Sequence, residues 1–218
     1  MTDPRDLPTY SLTEAARYSR VSPKTLRTWL VPQGGLIEPA GRPSGISFWN
    51  LVEIWVLSAI RKDYLISMQK VRKSVEYVEG KLGIERPLIR AAFRTDGVAL
   101  FVDHLGHTLK VSDKSGQLHV KELVDRHLRR VAYEEDVAAS LYPFVRTFDD
   151  AATEQPKAIL IDPKFGFGRP VLVGTGVRTD VIASRYRAGE SHAALALDYS
   201  IPVEAIEEAI RAELREAA

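Results

Sequence analysis

The sequence predicts a mainly α-helical chain with small β elements, an α+β fold, on three observations. Apolar residues recur at spacings of three and four, as in Leu26, Trp29 and Leu30, or Val71, Val75 and Val78. Serine, proline and glycine stand where helices start and stop, as at Ser22-Pro23 and Gly83. Short apolar runs bounded by glycine interrupt this pattern near residues 36–48, 97–120 and 159–173, and these read as strands. With 218 residues, 45% hydrophobic and 27% charged, the chain can bury a core as one large domain or two small ones.

Leu12, Ala15 and Ala16 share one face of a first helix, with Ser11 before them as a cap. After a break at Ser19–Val21, Ser22 caps a second helix and Pro23 fills its first turn, where a missing N–H costs nothing. Leu26, Trp29 and Leu30 face inward there, leaving Lys24, Arg27 and Thr28 outside. Two short helices joined by a tight turn are the sequence form of a helix-turn-helix. Leu36-Ile37 and Ile46–Phe48 then flank a Gly/Pro/Ser tip carrying Arg42, which reads as a small β-ribbon, a wing. Helices are expected over about Phe48–Lys62 and Ser67–Leu82, with Gly83 and Pro87 ending the second.

From Gly97 to Val120 the glycines at Gly106 and Gly116 suggest turns between short strands, with a helix following over about Lys121–Arg130 and a strand over Ser140–Arg146. The polar segment ending at Pro156 reads as a linker. Beyond it, Ile159–Ile161 and Val171–Val173 are strand material. Three helices follow: one from Thr179 to about Arg187, one capped by Ser191, and one opening at Pro202. The expected units are 8–94, the winged helix-turn-helix; 95–150, a small strand-rich α+β insert; and 157–218, a hairpin plus three helices.

The formal charge of +1 hides an asymmetry. Residues 17–94 carry fourteen Lys or Arg against six Asp or Glu, whereas residues 180–218 carry four against eight. The two ends are suited to different partners. Without cysteine there is no disulfide and no thiolate metal site, and the N-terminus has no secretory pattern. The longest apolar run, Ile54–Ile60, is too short to span a bilayer, so a cytoplasmic protein is expected.

The stretch GFGRPVLVGTGVRT, Gly166–Thr179, invites a phosphate-loop reading. A dinucleotide fingerprint would need a third glycine at Val171 and a helix after it; a P-loop would need Lys followed by Ser or Thr. Both requirements fail, and hairpin turns explain the glycines better. No Ser/His/Asp or H-E-x-x-H arrangement gives an enzyme a foothold, and no cofactor or metal is expected. The histidines of DHLGH, Asp103–His107, read as part of a plain hairpin.

The same stretch does resemble a known family. Ile161-Asp162-Pro163, Gly168-x-Pro170-Val171, Gly174-Thr175-Gly176-Val177-x-Thr179-Asp180-x-Ile182, Ala188-Gly189-Glu190-Ser191, Asp198-Tyr199 and Pro202–Ile206 look like the domain of unknown function 433, found alone or as the C-terminal part of VapB-type antitoxins. The likeness spans about Ile159–Leu214 and implies a β-hairpin followed by a helix-turn-helix-like three-helix unit. Gly176 stands where a more usual member has arginine. VSPKTLRTW, Val21–Trp29, with its wing is similar to the MerR-like helix-turn-helix group over about Tyr10–Val78, although the long dimerising helix usual in that group does not clearly follow. The pairing resembles the larger VapB-type antitoxins as a whole.

The resemblance implies an antitoxin of a type II toxin–antitoxin system that binds operator DNA, neutralises a PIN-like ribonuclease toxin and represses its own operon. The alternative is a MerR-like transcriptional regulator with a small-molecule or protein-sensing region. Dimerisation is expected because helix-turn-helix proteins read paired half-sites. The candidate DNA contacts are Arg17, Arg20, Lys24, Thr25, Arg27, Thr28 and Arg42, arginine being suited to guanine edges and lysine and threonine to phosphate. The candidate partner contacts are Arg169, Arg178, Glu204, Glu207 and Glu208. The plainer reading of each is a solvated helix face or turn, and Trp29, Trp49 and Trp55 are expected in the core.

Overall fold

The structure is a computed structural model that describes residues 3–31, 35–41, 45–61, 67–109, 114–146 and 155–214. Helix α1 (Leu12–Ser19) starts where Ser11 closes a capping box: its hydroxyl accepts from the Glu14 N–H, and the Glu14 carboxylate accepts from the Ser11 N–H at 2.8 Å. Arg20, in the left-handed region at φ 57°, ends the helix. Ser22 accepts from the Thr25 N–H to start α2 (Pro23–Trp29), which buries Thr25, Leu26 and Trp29. Helix α1 packs on α2 and on α3 (Phe48–Arg61), the apolar axis of the fold, where Leu51, Ile54, Trp55 and Leu57 are all buried.

The wing differs from expectation. Leu36-Ile37 and Ile46 do not pair with each other. Ile37 bridges Leu30 in parallel, Ile46 bridges Tyr10, and only Gly41 and Gly45 face each other across the tip. Both apolar pieces are drawn onto the helix pair because Ile37 and Ile46 are buried there. Arg42 lies outside the described residues.

Helix α4 (Met68–Leu82) presents Val71 and Val78 to the core, and Gly83 ends it. A 3₁₀ turn (Pro87–Ile89) and a π-helical turn (Phe93–Gly97) follow. The described residues of 97–120, expected as strands, are helical: α5 (Val98–Leu109) packs on α4 and on α6 (Lys114–Leu128), and α6 packs on α3. The reason is legible in retrospect. Val98, Phe101, Val102 and Leu105 repeat at three and four, and all four are buried. Gly106 is no turn; it lies within α5, where an added Cβ would stand 2.2 Å from Gln117 Nε2 of α6. DHLGH is therefore a turn of helix α5, with His104 stacked on Tyr77 at 4.4 Å and His107 beside Asp103.

Strands β1 (Val131–Glu134) and β2 (Val137–Leu141) form an antiparallel hairpin closed by Glu135 and Asp136, both at positive φ. The expected strand at Ser140–Arg146 is thus the end of β2 and its exit. In the last unit β3 (Ile159–Leu160) pairs antiparallel with β4 (Val171–Leu172), as expected. Helices α7 (Thr179–Arg187), α8 (His192–Tyr199) and α9 (Val203–Leu214) follow, with Ser191 capping α8 through the Ala194 N–H at 3.1 Å.

Two hydrophobic cores result. The larger joins α1–α6 and the β1–β2 sheet; the smaller joins the β3–β4 hairpin to α7–α9. The chain laces them together, since Val145 belongs to the second core and Ile161 to the first. Leu141 and Ile161 exchange two backbone hydrogen bonds of 2.9 and 2.8 Å, continuing the edge of β2 onto the last unit. No described helix is long and apolar enough to cross a membrane.

Candidate nucleic-acid and partner interfaces

On α2 the cap at Ser22 fixes the helix start, and burial of Leu26 and Trp29 fixes its rotation. Lys24, Arg27 and Thr28 are consequently exposed together, a compact basic and hydroxyl face. The Thr28 hydroxyl donates to the Thr25 carbonyl at 2.7 Å, and Thr25 itself is buried, its hydroxyl 2.9 Å from that of Ser22. Thr25 therefore braces the turn rather than joining the outer face.

Arg17 and Arg20 point elsewhere. Arg17 Nη1 donates to Glu213 Oε2 of α9 at 2.6 Å, and Arg20 Nη2 donates to the Phe144 carbonyl at 2.7 Å. Glu213 is buried, and its other oxygen accepts from the Thr179 hydroxyl at 2.6 Å. Glu14 of α1 is ion-paired with Arg169, and the Tyr10 hydroxyl donates to the Gly168 carbonyl at 2.9 Å. Burial pushes the Tyr10 and Tyr18 phenols well above their ordinary range. One side of α1 is thus stapled to the last unit by residues more than 150 positions away in sequence, a relation no local spacing encodes.

The expected partner contacts separate into two groups. Arg178 is exposed, its Nε donating to Asp180 at 3.0 Å, and Glu204 is exposed on the first turn of α9. Glu207 is half-buried, 3.9 Å from Arg211. Glu208, by contrast, is buried, with Oε1 accepting from Arg146 at 2.9 Å and from Arg211 at 2.6 Å. Arg169 is engaged by Glu14. Glu208 and Arg169 hold units together, because a buried carboxylate needs its cations close by.

Sequence reasoning passed over the apolar surface of this unit. Among the described residues, eight of the eleven exposed large hydrophobic side chains fall between Phe165 and Leu214. Leu197 on α8 is 83% exposed and Phe167 is 88% exposed. Such a concentration, on the acidic half of the chain, suits a protein surface better than a phosphate backbone.

A cleft of about 460 Å³ opens between the wing and α4, lined by Leu36, Ile37, Val75, Glu79, Arg86 and Leu88 among others. Its floor is an ion network in which Arg86 binds Glu53 at 2.9 Å and Asp6 at 3.1 Å. Burial raises the Glu79 carboxyl above its ordinary range. Among the described residues no group of three or more His, Asp or Glu is placed to hold a metal ion.

Comparison with known proteins fits this geometry at both scales. Residues 159–211 match the family model of a protein of unknown function, DUF433, a range that holds the β3–β4 hairpin and nearly all of α7–α9. Over 234 aligned residues the chain is 28% identical to a Mycobacterium tuberculosis protein named "Putative antitoxin VapB45", covering 95% of this chain and 94% of that one. The likeness runs end to end. The crystal structure of Rv2018 from Mycobacterium tuberculosis superposes with a TM-score of 0.72 over 94% of this chain and 98% of that one. At 24% identity, that match speaks for the fold alone. The resemblance drawn from the Ile161–Ile206 motifs thus stands for the last unit, and the chain as a whole is similar to an antitoxin-named protein.

Proposed function

We propose that the chain is a homodimeric antitoxin that binds operator DNA through its front half and a PIN-like ribonuclease toxin through its last unit, repressing the operon that encodes both. The single observation that carries this reading is the end-to-end similarity to an antitoxin-named protein, which spans both units in the same order. The DNA assignment is supported by α2, where Lys24, Arg27 and Thr28 form an exposed basic and hydroxyl face, as a recognition helix would. The partner assignment is supported by the exposed apolar side chains and net acidity of residues 157–218.

Arg27→Ala tests the first half. Gel shifts at fixed salt with the chain's own upstream DNA should show binding weakened about tenfold or more, with an unchanged melting temperature. Unchanged affinity would remove α2 from the reading. Co-purification with the product of the neighbouring reading frame tests the second half, and an intact chain that ignores that product would end it. The cleft between the wing and α4 favours one other reading, a MerR-like regulator that senses a small molecule. Thermal stabilisation by a small ligand, lost in Val75→Trp, would mark that alternative.

A further inference from the structure

Phe167 is the most exposed large hydrophobic side chain among the described residues, at 88%, and Phe165 beside it is 60% exposed. Both sit on the loop between β3 and β4. Gly166, Phe167 and Gly168 have φ of 56°, 56° and 73°, three successive residues in the left-handed region. Glycine adopts that region freely; phenylalanine avoids it. The chain thus accepts two unfavourable features at one point, an aromatic ring in water and a disfavoured backbone beneath it.

The tip is held at both ends. On one side Lys164 is ion-paired with Glu134, and its N–H donates to Asp162 Oδ1 at 2.8 Å. On the other, the Gly168 carbonyl accepts from Tyr10 at 2.9 Å and Arg169 pairs with Glu14. Two aromatic rings on a braced loop lose little freedom on docking, which is how interface anchors gain affinity.

The charges around the tip select the kind of partner. Both cations of the loop are already paired, Lys164 with Glu134 and Arg169 with Glu14. The Lys164–Glu134 pair brings the tip beside the β1–β2 turn, whose Glu135 and Asp136 are exposed. An apolar projection bordered by exposed acid, with Arg5 as a cation near Glu135, fits an apolar pocket bordered by basic side chains better than it fits nucleic acid.

We propose that Phe165 and Phe167 are the anchors by which the chain seats in a basic-rimmed apolar pocket of a protein partner. This rests on the reading that the last unit engages a partner protein, and it names the contact. The partner surface is then the loop tip, whereas Arg169 and Glu208 keep the two units joined.

The test uses the full-length chain purified with the product of its neighbouring reading frame, the affinity being measured by calorimetry. Phe167→Gly is the informative variant, because it removes the ring and relieves the backbone at once. The expected result is a melting temperature equal to or above the parent's with affinity lowered about thirty-fold. Glu135→Lys should weaken binding and flatten its salt dependence, and Leu118→Ser, on the exposed side of α6, should leave affinity unchanged. If the parent binds and Phe167→Gly binds equally well, the anchor assignment is overturned and the partner reading survives. If the parent does not bind, the partner reading falls and this inference with it. If sedimentation shows that Phe167→Gly instead dissolves a homodimer, the tip belongs to a second copy and the proposal is wrong.

Discussion

Glu213→Ala probes the joint between α1 and the last unit. The carboxylate is buried, with 4% of its side chain exposed, and it serves two donors at 2.6 Å each, Arg17 Nη1 and the Thr179 hydroxyl. Thr179 is fully buried, so losing its acceptor costs about 1–3 kcal/mol, softened by the Pro170 carbonyl at 3.3 Å. The arginine side chain is 30% exposed and can turn to water, so its pairing contributes about 1 kcal/mol at most. Packing lost with the side chain adds about 1 kcal/mol. The sum, about 3 kcal/mol, corresponds to a melting-temperature loss of about 6–12 °C for a chain of this size. Calorimetric scans should give melting temperatures that fall in the order parent, Glu213→Gln, Glu213→Ala, since the amide oxygen of glutamine still accepts from Thr179. A Glu213→Ala variant that melts within a degree of the parent refutes the argument, because the buried hydroxyl would then have no need of this acceptor.

Three further outcomes follow from the geometry. Gly168→Ala places a Cβ 2.6 Å from the Tyr10 hydroxyl at a φ of 73°, and should cost about 2–3 kcal/mol in urea unfolding. Gly97→Ala sets a Cβ 2.6 Å from Cδ2 of the buried Phe93 and should cost about 1–3 kcal/mol, whereas Gly80→Ala on α4, with open space around it, should stabilise by about 0.5–1 kcal/mol. Burial raises the Asp162 carboxyl above its ordinary value, so the folded state prefers it protonated and stability falls as pH rises through the carboxylate range. Asp162→Asn should therefore melt above the parent at pH 7, with the difference shrinking toward pH 3.5; a difference that grows on acidification would reverse the assignment.

The elements defined by local chemistry were legible in the sequence. Ser11, Ser22 and Ser191 cap where their hydroxyls allow, and the helical repeats of α2 and α3 bury the residues they should, while Val75 of α4 is only partly buried and Val203 at the start of α9 is exposed. The stretch Gly97–Val120 was misleading because Gly106 and Gly116 carry the composition of turns, while the deciding factor is tertiary. The buried side of α5 is set by α4 and α6, and Gly106 is small because Gln117 crosses there. For the surfaces, the outward face of α2 could be read from spacing alone. That Arg17 and Glu208 turn inward could not, since their partners, Glu213 and Arg146, lie 196 and 62 residues away. Phe165 and Phe167 did carry a signal, two aromatic rings each followed by glycine in a loop with no helical repeat to bury them.

The same network assigns different work to the two front helices. Helix α1 has Glu14 and Arg17 fastened to the last unit, as is Tyr10 just before it, so its charges are largely neutralised within the fold. Helix α2 keeps Lys24 and Arg27 on the outside. If α2 reads DNA as proposed, a face made by α2 alone is narrow, and its affinity would depend on how firmly α1 holds it in place. Arg169 and Gly168, which fix α1, lie within two residues of Phe167. A protein seated on that tip and DNA seated on α2 would act on opposite ends of one short mechanical path. By linkage, any change the first makes in affinity for the second must be returned in equal measure. Titrating the neighbouring gene product into the DNA complex should therefore give a coupling factor that Arg169→Gln, which cuts the tie to Glu14 of α1, moves toward one; a factor left unchanged by Arg169→Gln would mean that the two surfaces are not joined through α1.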